Sequence, residues 1–166
     1  AHASHQVTEM LNTYFEVAVP PVVGRYGGDV DRIIGDALTV TFHRRGDQPD
    51  HARRAALAAL ALQEATAGVA GEHPGWPRFR VGVNSGPASV SVLGTAGGRT
   101  HTVIGDTVNT ASRIEGQAPA GGVAVSAATL ALLPDATVEP LGFLTLKGKE
   151  EPVEVFRLLS LGGLGR

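Results

Sequence analysis

The chain of 166 residues contains no cysteine. That removes disulfides, thiolate metal sites and cysteine nucleophiles together, and it fits a reducing compartment. Aromatic residues make up only 5% of the chain, with a single Trp. No basic arm interleaves with those few rings, so no nucleic-acid partner is expected. An excess of one charge is lacking too. Fourteen Lys and Arg stand against 16 Asp and Glu, a formal net charge of −2 that draws the chain neither to DNA nor to an acidic membrane. No apolar run approaches the length of a membrane span, and the first residues lack the layout of a signal peptide. A cytoplasmic setting is expected, free or as the cytoplasmic part of a larger, membrane-attached protein.

Glycine and proline are plentiful, at 22 and 10, which implies many turns. Residues 1–6 read as a frayed start. From Val7 to about Arg25 apolar residues recur at helical spacing, with Pro20-Pro21 bending the helix and Gly27-Gly28 ending it. Val30–Ile34 and Leu38–Phe42 read as strands around a tight Gly35-Asp36 turn, and about Pro49–Val69 as a long Ala- and Leu-rich helix. Strands are expected at Phe79–Val83, Ser89–Leu93, Thr102–Ile104 and Val123–Val125, with Gly94–Arg99 as a flexible link. Helices are expected from Asp106 to about Gln117 and over Ala127–Leu133, and a final hairpin from Val138–Leu146 and Val153–Leu159. Helices alternating with hairpins, largely antiparallel, give an α+β class: a sheet with helices on a face. Gly94, Gly97 and Gly98 do not follow GxGxxG, which argues against a Rossmann fold.

The segment HTVIGDTVNTASRIE, His101–Glu115, carries the strongest chemical signal. It reads as strand, turn and helix, with Asp106 at the N-cap position. Asn109 and Arg113 lie four residues apart and so project from one helix face. An amide beside a permanent guanidinium suits a phosphate-rich substrate, although a capped surface helix with an ordinary polar face has the same residues. Asp36 at a hairpin tip offers oxygen to a hard cation, or is simply a turn residue. Lys147 in LKGKEEP presents an ammonium to a phosphate, or to solvent. Arg32 and Thr102 mean little alone. Six scattered histidines show no zinc spacing, and no GxSxG marks a serine hydrolase.

Four ordered segments change the balance: GGDVDRIIGDALTVTF, FRVGVNSGPASV, HTVIGDTVNTASRIEG and LGFLTLKGKEEPVEVFRL. Together they closely resemble the catalytic domain of class III nucleotidyl cyclases, the adenylate and guanylate cyclases, from about Glu9 to Leu159. The resemblance implies a ferredoxin-like antiparallel sheet with helices, in cyclase catalytic-domain architecture. It also implies one domain over residues 1–159, with 160–166 as linker or tail. It implies conversion of ATP to cyclic AMP and pyrophosphate for intracellular signalling. The sites would lie at a homodimer interface and use Mg²⁺ or Mn²⁺, two per site.

By the same resemblance Asp36 is a metal ligand. Asn109 and Arg113 orient the ribose and stabilise the transition state, and Lys147 binds the terminal phosphates. Arg32 and Thr102 stand at the purine-selecting positions. Thr102 fits the adenine pattern, whereas Arg32 replaces the usual Lys and keeps a cation. Family members begin with a central strand bearing the first metal Asp, yet no Asp precedes Asp29 here. The sequence is therefore expected to be an N-terminally truncated and poorly active form. Two neighbouring strands would be left with unpaired backbone groups. A catalytically inactive nucleotide-binding or dimerisation module, or a guanylate cyclase, are the alternatives. Fused sensor, membrane or ATPase regions are expected outside this chain.

Overall fold

The computed structural model describes residues 2–34, 37–95, 98–148 and 151–162, without the side chains of 2–4, 34, 90–95 and 98–103. The chain opens in helix α1 (His2–Pro20), which continues into a π-helical turn at Pro21–Arg25. The expected frayed start is thus helical from His2. Pro20 and Pro21 do not break the helix but widen it, since a proline cannot donate to the preceding turn. Gly27, at φ +77°, and the bond from its N–H to Val23 O close the stretch. Strands β1 (Asp29–Ile34) and β2 (Ala37–Thr41) form an antiparallel hairpin. Helix α2 (His51–Glu72) follows, then β3 (Val81–Val83).

The sequence reading is corrected at residues 94–99. Strands β4 (Ser89–Thr95) and β5 (Gly98–Ile104) form one antiparallel ladder in which Gly94 pairs with Arg99 and Thr95 with Gly98. Gly94, Thr95, Gly98 and Arg99 of the expected flexible link are thus paired strand, and β5 starts four residues before the expected Thr102. Helix α3 (Asp106–Glu115), β6 (Val123–Ser126), α4 (Ala127–Leu130), β7 (Ala136–Leu144) and β8 (Val153–Leu161) complete the chain. β8 ends at Leu161, two residues past the domain boundary expected from sequence, and pairs there with Ala136.

The main sheet has the order β3-β6-β8-β7, with β3 and β6 parallel and the other pairs antiparallel. This is the helix-and-sheet α+β architecture the alternation of elements predicts. One core joins the inner face of α2 (Ala52, Ala56, Ala59) to Val83, Val123, Val125 and Leu158. A second joins Ile114 of α3 to Ala124, Leu144 and Val155. Each buried Val or Leu contributes about 1.5–3 kcal/mol, so these faces fix where α2 and α3 lie.

Among the described residues β2 pairs with β1 and β3 with β6, and the two hairpins stand apart from the main sheet. A cavity of about 530 Å³ opens between β2 and β3, with α2 and α3 contributing to its wall. Strands β2 and β3 thus flank a largely apolar slot.

Candidate functional site

The site builds outward from α3. Its N-cap is Gly105, at φ +129°, and no side chain caps it. Asp106 is therefore not the N-cap but the first helical residue, where its charge still opposes the positive end of the helix. The hydrogen bond from Asn109 N to Gly105 O, 3.2 Å, closes the first turn.

Two devices seat the helix. Gly82 of β3 lies so close to α3 that an added Cβ would meet the backbone of Ala111 and Glu115. Asn84 donates from Nδ2 to Thr107 O at 3.0 Å and accepts from Ser126 Oγ at 2.7 Å, tying the first turn of α3 to the ends of β3 and β6. Thr110 and Ile114 face inward and are buried. Asn109 and Arg113 are both exposed. Each directly precedes a buried residue, so the 3.6-residue period turns the amide–guanidinium pair about 100° away from the face packed on the sheet.

Arg32 lies on β1, which packs against β5, the strand carrying Thr102. The backbone of Thr102 pairs with Ser91; its side chain lies outside the described residues. Asp36 is also outside the described residues. Lys147 is exposed beside Gly148, at φ +86°, in the turn after β7. Only glycine adopts that φ without strain, which accounts for the Lys-Gly pair.

Sequence reasoning missed two residues here. Register slips between Val30 and Arg32, so that Asp31 bulges out of the β1–β2 ladder. The wholly buried Asp31 side chain contacts Arg32 Nε at 3.2 Å and accepts from Arg44 Nη1 at 3.5 Å. A bulge inserts an unpaired residue and cannot be read from alternation alone, and Arg44 lies 13 residues from Asp31 in sequence.

No group of three acidic or histidine side chains among the described residues assembles a metal cage. Asp29 and Asp31 of β1 are both ion-paired, Asp29 with Arg45 at 3.8 Å. The described residues of a single chain therefore do not fit a two-metal centre. No described helix is long and apolar enough to cross a membrane.

Comparison with known proteins bears on this arrangement. Residues 1–160 match the family model described as the adenylate and guanylate cyclase catalytic domain. The chain is similar to adenylate cyclase 1 of Rhizobium meliloti, 30% identical over 94% of this chain but only 24% of that protein, so it spans about a quarter of that relative's length. Its fold is similar to that of the guanylyl cyclase Cya2, at TM-score 0.83 and 27% identity over 98% of this chain and 84% of that one. It is likewise similar to the adenylyl cyclase CyaB from P. aeruginosa, at TM-score 0.80 and 25% identity over 96% and 84%. With its matched segments spread from the first helix to the last strand, the chain belongs to the adenylate and guanylate cyclase catalytic-domain family.

Proposed function

We propose that this domain converts ATP to 3′,5′-cyclic AMP and pyrophosphate at sites shared between two copies of the chain, serving intracellular signalling in the cytoplasm. The observation that carries the reading is the outward-facing pair Asn109 and Arg113 on a helix whose other face is locked to the sheet. The 3′-hydroxyl oxygen of ATP bonds to the α-phosphorus, the bond from that phosphorus to the oxygen bridging to the β-phosphate breaks, and the hydroxyl proton passes to solvent. Arg113 meets the charge that grows on the α-phosphate, and Asn109 holds the ribose in line. Lys147 engages the terminal phosphates, and Arg32 with Thr102 receives the purine.

Support for pairing comes from apolar residues left in solvent on the two strands that carry Arg32 and Thr102. Val30 is 37% exposed, Ile33 53% and Ile104 45%. Exposed apolar groups beside charged ones mark a surface suited to a partner. Mg²⁺ or Mn²⁺ would be held by Asp36 together with the triphosphate, whose charge it would neutralise. The ion-paired state of Asp29 and Asp31 favours one second reading, an inactive module that binds nucleotide and pairs with an active domain.

The test gives the chain ATP or GTP with Mn²⁺ or Mg²⁺ and quantifies bound nucleotide and cyclic product. The expected result is cyclic AMP in excess over cyclic GMP, lost in Arg113→Ala. Nucleotide binding without product selects the inactive module. Neither binding nor product overturns both readings.

A further inference from the structure

We infer that Asp31 is the positioning residue for Arg32, and that this buried carboxylate sets how sharply the site tells adenine from guanine. The inference rests on the reading of Arg32 as a purine-facing residue. Its grounds are local. An unbroken strand sends neighbouring side chains to opposite faces, so residues 31 and 32 would not meet. The bulge at Asp31 removes that alternation, and the carboxylate lies 3.2 Å from Arg32 Nε. Asp31 is itself anchored, because Arg44 donates to its other oxygen and its side chain is fully buried, whereas Arg32 is 36% exposed. The carboxylate is thus a fixed post, and the guanidinium it grips reaches toward the surface.

A guanidinium is planar, carries only donors and hangs on a stem with many rotamers. Left to swing, it meets an acceptor on either purine, N1 of adenine or O6 of guanine. Gripped along its Nε edge, its plane is set before the base arrives, and only one arrangement of acceptors fits. Fixing a side chain in its bound orientation raises affinity for the matching ligand, and discrimination is the difference of two affinities. Asp31 therefore acts on specificity without touching the base.

The experiment titrates the chain with fluorescent mant-ATP and mant-GTP in Mn²⁺, beside Asp31→Asn and Arg32→Ala. The wild-type chain is expected to bind the two unequally. Arg32→Ala abolishes the difference, and Asp31→Asn narrows it by roughly tenfold, the scale of one lost charged contact. Asp31→Asn at the wild-type ratio, with Arg32→Ala flat, overturns the inference and leaves the reading of Arg32 standing. Arg32→Ala at the wild-type ratio overturns both, as does absence of binding. Equal wild-type affinities overturn the inference. Should Asp31→Asn fail to fold, the wild-type chain decides by nitrogen-15 NMR. The Arg32 Nε–H, assigned by its loss in Arg32→Ala, is expected to exchange with solvent at least tenfold more slowly than that of a free arginine, and exchange at the free rate sinks the proposal.

Discussion

Arg113 is exposed, so its replacement separates chemistry from stability. Arg113→Ala is expected to lower turnover by about 10²–10³, the usual cost of removing one preorganised donor. Thermal unfolding should move little, and both are read by product assay and circular dichroism. Tyr14 is the opposite case. It is fully buried, packs its ring at a tilt against Trp76 and Phe79, and donates its hydroxyl to Pro77 O at 2.7 Å. Burial pushes its pKa up, with Arg78 opposing in part. The sign follows: the folded state holds this proton more tightly than the unfolded chain does. Tyr14's contribution is therefore complete below the ordinary tyrosine value of about 10 and is lost as pH rises through the raised folded value. Tyr14→Phe should cost about 1 kcal/mol at neutral pH and blunt the loss of stability in alkali, as measured by urea unfolding across pH.

Among the elements, α3 depends on the contact beneath it. Gly82→Ala would drive a methyl group into the backbone at Ala111 and Glu115, and a helix backbone cannot give way as a flexible side chain does. The expected cost is roughly 1–3 kcal/mol, with Asn109 and Arg113 displaced together. Turnover should therefore fall further than stability alone explains, and a full recovery of rate at low temperature would count against this. Most of α3 was legible in advance, since the four-residue spacing of Asn109 and Arg113 follows from helix geometry. Its cap was not. Asp106 has the composition of an N-cap, but Gly105 takes the non-helical φ that starts the helix. The same limit applies between β4 and β5, where glycines suggest slack but Gly94 and Gly98 are paired within the ladder.

For the whole molecule the proposal needs two copies, and it makes two predictions. Asp36→Asn and Arg113→Ala chains, each inactive alone, should regain part of the activity when mixed, because a mixed pair contains one site with neither change. Activity confined to unmixed wild-type chains would contradict a shared site. Ile33→Asp, which places a charge on an exposed apolar position of β1, should weaken self-association at least tenfold by analytical ultracentrifugation and leave the monomer folded.

What the sequence determined by itself is what depends on local spacing. It placed the helices and most strands, exposed Asn109 and Arg113 on one face, and supplied four segments specific enough to indicate the family. Spacing works there because one helix turn or one strand alternation is enough to say which side a residue faces. Tertiary structure decided what requires two distant segments to meet. The bulge that buries Asp31 between Arg32 and Arg44 exists because β1 and β2 pair out of register, and the seat of α3 exists because Gly82 lets two backbones touch. The slot between β2 and β3 depends on how a hairpin lies beside a separate sheet. Such features are set by packing across the chain, where the energy of a contact depends on what lies opposite and not on what lies next.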